Sequence, residues 1–491
     1  MSQAKAESGH ESTVSKILIP LIGILIIFGF GYLPPIEPIT PMGMKVLGVF
    51  LGMIFLWSFS DLLWSSLLGI IALVIVGYAP LPKVLQMSFG NTVSCLILFA
   101  LLLFGAIQDS GVTRYIARFF LTREVINGRP AVFNFIIIYA TYIMAALSAS
   151  ILPPLIFMWA ILYDILKEVG YSKGDKYTTL MVIGVFLGAI SGQAAKPFTG
   201  SALMVAGAYE QVAQTSLNYL QYMFFGWVMS TLCILAYALL IKFVFRPDMS
   251  RIADISIERF KRDALPPMSP QQKIMSAALI GFFVLVLLPS VLPKTLPFIG
   301  LLAKIGPLGV CFLIIVALIT LRVDGKPVMD FKAVAGKYVV WDIYILVCMA
   351  MVISGAMTAK GMGITEFIVK YLSPVLAGHS FSLFLAIAIV FCTCITQFAN
   401  NGVMGVLFMP MLKIFSEQSG GSFEATAVIL IFALHVAILT PAASPFAAFL
   451  YGNKEWLEKS DVLKYGTAIL VMCIVLYIAA GIPLARMVYG S

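Results

Sequence analysis

Two long apolar stretches, each interrupted near its middle, decide the fold that the sequence predicts. Residues 131–163 read AVFNFIIIYATYIMAALSASILPPLIFMWAILY, with the small residues Ser148-Ala149-Ser150 at the interruption. Residues 380–415 read SFSLFLAIAIVFCTCITQFANNGVMGVLFMPMLKIF, with Asn400-Asn401-Gly402 at the corresponding place. Because a membrane span needs about 20 mostly apolar residues, each stretch can hold two half-spans that enter and leave on one side. We therefore predict two re-entrant hairpins.

The composition excludes a water-soluble protein. Of 491 residues, 61% are apolar and only 55 are charged, whereas a soluble chain of this length carries about 25% charged residues, on the order of 120. The mean hydropathy is +1.00, so there is too little polar surface to cover a soluble globule. A soluble enzyme, a nucleic-acid binder and a disordered scaffold are excluded, and an all-α polytopic membrane protein is predicted.

Cysteine and histidine usage predicts neither a disulfide framework nor a metal cluster. The seven cysteines nearly all lie inside apolar runs, where a free cysteine acts as a small apolar residue. The chain has only three histidines and no zinc-ligand spacing.

The first apolar run, 17–33, has no small-residue cleavage site after it, so we expect a retained first span rather than a signal peptide.

Eleven membrane spans are predicted in addition to the two hairpins. They lie at roughly 17–33, 44–60, 62–79, 92–109, 180–208, 219–243, 274–292, 305–321, 339–358, 425–450 and 465–487.

The distribution of basic residues predicts the orientation of the chain, because lysine and arginine accumulate in cytoplasmic loops. With the N-terminus inside, 23 of the 32 basic residues fall on the inner side, 8 fall outside, and Lys196 lies within a span. We predict a multi-pass protein of the cell (inner) membrane, with a cytoplasmic N-terminus and an external C-terminus.

The two halves of the chain resemble each other at an offset of about 250 residues. Ala194-Ala195-Lys196-Pro197-Phe198 corresponds to Ala442-Ala443-Ser444-Pro445-Phe446, and Phe157-Met158 corresponds to Phe408-Met409. An odd number of spans separates equivalent points, so the repeats face opposite ways across the membrane. Inverted repeats with broken helices place a substrate site near the midplane of secondary transporters.

This pairing predicts four parts of the chain. Residues 1–43 hold the N-terminal tail and first span, and residues 44–245 form repeat 1, with spans 2–6 and the hairpin at about 131–163. Residues 246–273 form a cytoplasmic connector, either a solvated linker or a helix along the membrane surface. Residues 274–491 form repeat 2, with spans 7–11 and the hairpin at about 380–415.

Lys196 is the basic residue that the topology does not explain. A lysine near the centre of an apolar span costs about 3 kcal/mol or more, so it normally faces a cavity or a partner. We interpret it as a fixed cation that attracts a substrate carboxylate or takes the place of a coupling cation. The structural alternative is that it snorkels or pairs with Asp164 or Glu210. For His435, a hydrogen-bonded structural role is favoured over a proton relay.

Several motifs resemble the divalent anion:sodium symporter (DASS) family of the ion transporter superfamily. They are Ser88-Phe89-Gly90-Asn91-Thr92 before a span that ends in Asp109-Ser110-Gly111, then Val340-Trp341-Asp342, and Pro441-Ala442-Ala443-Ser444-Pro445. The resemblance covers most of the chain from about residue 44. It implies a homodimer of inverted-repeat protomers, each with a scaffold and a transport domain that moves as an elevator. Members of this family carry di- and tricarboxylates or sulfate, usually with sodium.

By this resemblance the chain is a divergent member. The family's hairpin tips usually read Ser-Asn-Thr, whereas here they read Ser148-Ala149-Ser150 and Asn400-Asn401-Gly402. Lys196-Pro197-Phe198-Thr199 and Ser444-Pro445-Phe446-Ala447 stand where the family has Thr-Pro-Pro-Asn. We therefore expect a sodium ion at the second site only, and no other cofactor.

The candidate site residues lie at the hairpin tips and the helix breaks, because broken helices expose NH groups for anions and carbonyl groups for cations. The candidate substrate-binding residues are Ser148, Ser150, Lys196, Thr199, Asn400, Asn401 and Ser444. The candidate cation ligands are Gln193, Asn401, Gly402, Thr440 and Ser444.

The sequence therefore predicts a secondary active transporter of small anions, with di- or tricarboxylates favoured, coupled to sodium, protons or counter-substrate exchange. The alternatives are a carrier of sulfate or another inorganic anion and an efflux antiporter of the same superfamily. A membrane-embedded enzyme is less favoured, because no catalytic constellation is found in the sequence. An anion channel is also less favoured, although re-entrant hairpins occur in channels too. No nucleotide-binding motif indicates direct coupling to ATP. The expected partners are the small anion, the lipid bilayer and a second copy of the chain, but no nucleic acid.

Overall fold

The computed structural model of the protein describes residues 13–198, 200–253, 266–364, 366–367, 370–371, 380–398, 401–441 and 443–490. Regular structure in these residues is almost entirely helical. A single two-stranded antiparallel pair, β1 (Arg322–Val323) with β2 (Lys326–Pro327), forms a short turn between two helices. The all-α prediction is confirmed.

The first half of the chain holds eleven of the helices. They are α1 (Thr13–Gly29), α2 (Pro41–Phe59), α3 (Leu62–Ile75), α4 (Leu81–Ser88), α5 (Thr92–Asp109), α6 (Val112–Leu121), α7 (Pro130–Ala146), α8 (Leu152–Glu168), α9 (Lys176–Ala194), α10 (Gly200–Ala213) and α11 (Tyr219–Leu239). Two 3₁₀ turns, Phe30–Tyr32 and Glu124–Ile126, and a π-helical turn, Leu240–Phe245, complete it.

The second half follows a similar order of elements. Its helices are α12 (Ser250–Ala253), α13 (Pro270–Val291), α14 (Pro297–Thr320), α15 (Phe331–Tyr338), α16 (Trp341–Met357), α17 (Phe381–Ile395), α18 (Asn401–Gln418), α19 (Phe423–His435), α20 (Pro445–Gly452), α21 (Lys459–Leu476) and α22 (Ile482–Tyr489). A π-helical turn, Tyr477–Gly481, separates α21 from α22, as Leu240–Phe245 follows α11. Part of the predicted connector, residues 254–265, lies outside the described residues.

Six described helices are long and apolar enough to cross a membrane, or seven if a bent pair counts as one span. Several of the other predicted spans correspond to shorter helices, such as α1, α2 and α3. The predicted span 180–208 corresponds to the pair α9 and α10, and 425–450 corresponds to the pair α19 and α20. A polytopic membrane protein is confirmed, and the total of eleven spans stays a prediction.

Polar side chains fix where several of these helices begin. A helix leaves its first NH groups without internal partners, and a side-chain oxygen just before it satisfies one of them. Thr40 accepts from the NH of Gly43 at 3.1 Å, and Ser422 caps α19 in the same way. Ser269 and Gln272 form a reciprocal capping box at α13. These caps explain why helices start at residues that hydropathy alone would place in loops.

The described structure divides into two compact units. One comprises residues up to 94 together with 340–377, and the other comprises 95–339 and 378–491. In the first unit, Trp57 donates to the Ser66 hydroxyl at 2.9 Å and Thr40 donates to the Gly361 carbonyl at 2.9 Å. The second unit contains both hairpins and both broken helices. The predicted division into two repeats follows the order of the elements rather than these units and stays a prediction.

Helix α9 forms the centre of the second unit and packs against α7. It is buried along nearly its whole length, and glycines on one face let the two helices approach closely. At Gly192 a Cβ atom would lie 2.8 Å from the Ala145 Cβ and from the Ala146 NH, and would clash with the Tyr142 carbonyl. Because Ala146 is the last residue of α7, this contact positions the tip of the first hairpin.

We predict that Gly192→Ala destabilises the protein by about 1–3 kcal/mol, since extra volume in a packed interior forces the backbone to move. Thermal unfolding in detergent measures this as a lower midpoint. Gly281→Ala in α13 is the matched control, because a Cβ there would have no atom within 4 Å. Alanine in that helix interior is expected to leave stability unchanged or raise it by about 0.5–1 kcal/mol. Equal midpoints for the two variants would contradict this packing.

The motif Asp109-Ser110-Gly111 forms a turn with structural contacts. Gly111 has a φ of 78°, a conformation that glycine adopts without the steric cost of a side chain. The Asp109 carboxylate accepts from the Lys337 ammonium and from the Tyr338 hydroxyl. The carboxylate raises the pKa of Lys337 above its ordinary value. This exposed ion pair ties the end of α5 to α15.

Candidate transport site

The predicted first hairpin consists of two helices joined by a tight tip, and its re-entrant course through a membrane stays a prediction. Helix α7 ends at Ala146 and α8 begins at Leu152. The Ser148 hydroxyl donates back to the Met144 carbonyl at 2.7 Å, and the Ser150 hydroxyl accepts from the NH of Leu152 at 3.4 Å. Both serine hydroxyls thus stabilise the tip, and the Ser148 carbonyl lies beyond the last turn of α7.

The first broken helix lies between α9 and α10. Pro197 has no NH to continue α9, and Gly200 restarts the chain with a φ of 63°. A Cβ at Gly200 would lie 2.7 Å from Nε2 of the buried Gln193, so the break requires glycine here. The Tyr222 hydroxyl donates to the freed carbonyl of Ala194 at 2.5 Å. Thr199, a predicted substrate ligand, lies outside the described residues.

Lys196 lies in this break and contacts the tip of the first hairpin. Only 3% of its surface is exposed. Its ammonium donates to the Ser148 carbonyl and lies 4.7 Å from the centroid of the Phe104 ring. Both partners are neutral: the carbonyl group presents the negative end of its dipole to the ammonium, and the aromatic ring makes a cation–π contact with it.

The acids that could have neutralised Lys196 are engaged or placed elsewhere. Glu210 accepts from the NH of Leu217 at 2.9 Å and from the Tyr219 hydroxyl at 3.0 Å. Asp164 is exposed at the surface of α8. In the part of the chain that the structure describes, Lys196 has no ion-pair partner and is the only lysine, arginine, aspartate or glutamate that is buried. In the described structure neither Asp164 nor Glu210 forms an ion pair with Lys196.

Phe104 is a contact of Lys196 that the sequence did not indicate. It lies on α5 and packs edge-on against Phe282 of α13 at 5.4 Å between centroids. Phe282 also packs edge-on against Phe198, two residues after Lys196, at 5.1 Å. Such edge-to-face pairs stabilise by about 0.5–1.5 kcal/mol each. The aromatic cluster holds the Phe104 ring face beside the ammonium.

The second hairpin is formed by α17 and α18, and Gln397 fastens its tip. The Gln397 side chain is 2% exposed and accepts from the NH groups of Ile438 and Leu439 at 3.1 and 2.9 Å. Its amide donates to the carbonyls of Thr393 and Val436 at 2.8 and 2.6 Å. Gln397 thus satisfies backbone groups that the second helix break leaves without helical partners.

The second broken helix ends at His435 and resumes at Pro445. Ser444, 4% exposed, accepts from the NH of Ala447 at 3.1 Å and caps α20. Thr440 donates to the Gln397 carbonyl. At the start of α18, the buried Asn401 accepts from the NH of Gly402 at 2.9 Å. Asn400, another predicted ligand, lies outside the described residues.

The two hairpin tips receive hydrogen bonds from the two breaks in a matching way. Lys196 donates to the carbonyl of Ser148 in the first half, and Thr440 donates to the carbonyl of Gln397 in the second half. The first contact carries a positive charge and the second is neutral. Gln193, predicted as a cation ligand, lies beside the first break and near Gly200.

The two halves of the site are joined through α10. Its Ser201 hydroxyl lies 2.8 Å from Nε2 of His435 at the end of α19. Because Nδ1 of His435 lies 2.6 Å from the Ile431 carbonyl, Nδ1 carries the proton and Ser201 donates to Nε2. Helix α10 also packs against α18, where Gly405 leaves room for Val205. The structural role favoured for His435 agrees with these contacts.

Paired hairpins, paired broken helices and a buried cation between them define a membrane transport protein built on broken helices. The chain belongs to the family described as "Sodium:sulfate symporter transmembrane region", whose model matches residues 12–489. The predicted family is thereby confirmed, and it is one of transporters rather than enzymes.

Two solved structures are similar to the chain in fold. The Alcanivorax borkumensis YdaH transporter is 16% identical to this chain in sequence. The match covers 82% of this chain and 88% of the YdaH chain, with a TM-score of 0.53. The MtrF protein of Neisseria gonorrhoeae, reported with a class of antimetabolite efflux pumps, is also 16% identical to this chain. That match covers 94% of this chain and 97% of the MtrF chain, with a TM-score of 0.55. No curated protein matches the chain.

Proposed function

We propose that this protein is a secondary active carrier of small anions, with di- and tricarboxylates as the favoured substrates, and that it works by an elevator motion. The observation that carries the proposal is Lys196, a buried ammonium whose partners are a carbonyl and an aromatic ring. An anion would supply the missing negative charge. A charge-assisted hydrogen bond to a carboxylate is about twice as strong as a neutral one.

The helix ends support the same class of substrate. Helices α8, α10, α18 and α20 each begin at a hairpin tip or a break. A helix N-terminus carries roughly half a positive charge and presents free NH groups. Together with Lys196 they make a region that favours anions over cations. No described acidic side chain is buried there, which disfavours a carrier of organic cations.

A di- or tricarboxylate suits the difference between the two halves of the site. One carboxylate would bind Lys196, with Ser148 and Ser150 of the first tip and the sequence-predicted ligand Thr199 as further candidate donors. A second carboxylate would bind the neutral side with the amide and hydroxyl groups of Asn400, Asn401 and Ser444. A monocarboxylate would use only one half.

Sodium, if it is the coupling ion, is proposed at the second half only. The ammonium of Lys196 already occupies the first tip carbonyl, so a second cation there would be repelled. The second tip offers oxygen atoms from Asn401 and from the backbone near Gly402, and the second break offers those of Thr440 and Ser444. Hard oxygen ligands of this kind suit sodium.

Sulfate transport is the second candidate, and the chain's membership of a sodium:sulfate symporter family favours it. Sulfate would place its two charges close together, on Lys196 and the adjacent helix ends. A dicarboxylate would span both halves of the site.

We place the protein in the cell membrane as a homodimer with a cytoplasmic N-terminus, following the basic residues of the loops and the family resemblance.

Uptake into proteoliposomes tests this proposal. Purified full-length protein is reconstituted, and labelled succinate, citrate and sulfate are offered to vesicles loaded with the same unlabelled anion, with sodium and proton gradients imposed separately. Saturable uptake of succinate or citrate is expected, together with weaker uptake of sulfate. Saturable uptake of sulfate alone would favour the second candidate. No saturable uptake of any anion by monodisperse protein would contradict an anion carrier.

A further inference from the structure

Two pairs of helices in the second unit lead away from the site toward sides that are predicted to be opposite. After the first hairpin tip, α8 leads to residues 167–176, and after the second helix break, α20 leads to residues 454–464. Their basic residues predict that both segments are cytoplasmic. Helices α10 and α18 lead instead to residues 209–218 and 416–424, which are predicted to be external. A route from the site to the cytoplasm therefore runs beside α8 and α20.

The two helices of the external pair pack closely along their length. A Cβ atom at Gly405 of α18 would clash with the Val205 side chain of α10, and the Lys413 ammonium donates to the Val212 carbonyl at 3.1 Å. The backbones of the cytoplasmic pair, α8 and α20, lie farther apart, and aromatic side chains bridge them. The two sides of the site are thus closed by different kinds of contact.

The side chains between α8 and the end of α20 form a continuous series. Trp159, Tyr163 and Lys167 follow one another at intervals of four residues, so they share one face of α8. The Trp159 ring stacks on the Phe449 ring, with 5.7 Å between centroids and 10° between planes. The Tyr163 ring stacks on the Trp456 ring at 4.4 Å, and the Lys167 ammonium lies 5.3 Å from the centroid of that second ring.

Two polar contacts reinforce this series. The Asn453 side-chain amide donates to the Tyr163 hydroxyl at 2.5 Å, and the Lys167 ammonium lies 3.7 Å from a carboxylate oxygen of Glu455. Both members of the ion pair are exposed, so this pair contributes little to stability. Ring stacking and one hydrogen bond therefore carry most of the attraction between the two sides.

The two tryptophans of the series differ in their hydrogen bonds. The indole NH of Trp159 donates to the Val182 carbonyl of α9 at 3.0 Å, which fixes α8 to the centre of the second unit. Trp456 is 4% exposed, and no described group accepts from its indole NH. A buried donor without an acceptor is costly, and water can accept from it once the ring is uncovered. The side that carries Trp456 is therefore held less firmly than the side that carries Trp159.

We propose that these side chains form a cytoplasmic clasp, which opens when α20 and residues 453–456 move away from α8 and lets the anion pass. The clasp comprises Trp159, Tyr163, Lys167, Phe449, Asn453 and Trp456. This inference rests on the proposed function, because the clasp controls passage of the same anion between the site and the cytoplasm. An elevator motion carries the site across the membrane, whereas the clasp determines when the site opens on the cytoplasmic side.

Joining the two sides of the clasp covalently tests whether it opens. Lys167→Cys and Glu455→Cys are combined, since both positions are exposed and both substitutions leave the stacked rings in place. The purified full-length variant is treated with a short bismaleimide, the linked fraction is measured by mass spectrometry, and uptake of labelled succinate is measured after reconstitution. Because a closed lid has to open for passage, linked protein should take up succinate roughly tenfold more slowly or less.

The reference for this rate is the same double variant treated with N-ethylmaleimide, which modifies the cysteines without joining them. The two single variants control for the seven native cysteines. Bismaleimide and N-ethylmaleimide should leave each single variant with the same rate of uptake.

Amide hydrogen exchange tests the clasp without any transport, because exchange in residues 445–458 reports how often this segment separates from α8. Tyr163→Phe keeps the ring stack but removes the hydroxyl that accepts from Asn453, so hydrogen exchange there should become roughly two- to tenfold faster. Linked protein should show slower hydrogen exchange in the same segment. Tyr32→Phe is the matched control, because Tyr32 is 89% exposed and its loss of a hydroxyl should leave residues 445–458 unchanged.

Three outcomes would overturn the clasp while leaving an anion carrier intact. One is equal uptake by the linked and the N-ethylmaleimide-treated double variant. A second is failure of the two cysteines to be joined, because the ion pair places these positions side by side. A third is unchanged hydrogen exchange in residues 445–458 of both Tyr163→Phe and the linked protein. Absence of succinate uptake by the unmodified protein would instead contradict the proposed function, and hydrogen exchange would still decide whether the clasp opens.

Discussion

Replacing Lys196 with methionine will lower the rate of succinate uptake by about 100-fold or more. Methionine has a similar length and tolerates an apolar interior, so the substitution removes the charge with little change in volume. A hydrogen bond to a charged group contributes about 1.5–3 kcal/mol, and about 2.7 kcal/mol corresponds to a factor of 100. The Ser148 carbonyl also loses its partner. Initial rates of labelled succinate exchange into loaded proteoliposomes measure the effect.

Two controls separate a lost binding group from a misfolded protein. Lys196→Arg keeps the positive charge and should retain more activity than Lys196→Met, and Lys304→Met removes a lysine from an exposed position of α14. Size-exclusion profiles and thermal midpoints in detergent report folding. Lys196→Met that folds normally and exchanges succinate at the unmodified rate would show that this charge does not bind substrate.

The sequence predicted Lys196 and the hairpin tip that it contacts, but not the aromatic ring that it contacts. A single basic residue inside an apolar span is conspicuous because it is energetically unfavourable there, and the small residues around Ser148 marked the hairpin tip. Phe104 was not predicted. It lies in α5, more than 90 positions before Lys196 in the sequence, and a phenylalanine in an apolar helix has no local pattern that distinguishes a cation–π partner from a lipid-facing or packing residue.

For Gln397, too, the sequence located the residue but did not identify its contacts. As a polar residue in an apolar stretch it marked the second interruption, but its four hydrogen bonds reach across to the backbone of another helix break. Three of those partners lie about 40 positions later in the sequence. Hydropathy locates such a residue, whereas only the fold identifies which backbone groups it satisfies.

Replacing Gln397 with leucine is expected to destabilise the protein by about 3 kcal/mol or more. Leucine fits the volume but leaves the NH groups of Ile438 and Leu439 and the carbonyl of Val436 without this partner. Each buried polar group that loses its partner costs about 1–3 kcal/mol. The second hairpin should loosen from the second helix break, so both the thermal midpoint and the succinate exchange rate should fall.

Gln397→Glu distinguishes the accepting from the donating contacts. A carboxylate can still accept from Ile438 and Leu439, but it cannot donate to the carbonyls of Thr393 and Val436, so its midpoint should also be lowered. Gln86→Leu is the matched control, because Gln86 is exposed on α4 and its side chain accepts from the exposed Lys83 at 3.1 Å. If Gln397→Leu melts and exchanges succinate as Gln86→Leu does, Gln397 does not hold the second tip. If Gln397→Leu loses exchange and stability together, the second break, like the first, depends on a side chain that replaces missing helical hydrogen bonds. The two halves would then differ mainly in charge, which is the property that Lys196 contributes.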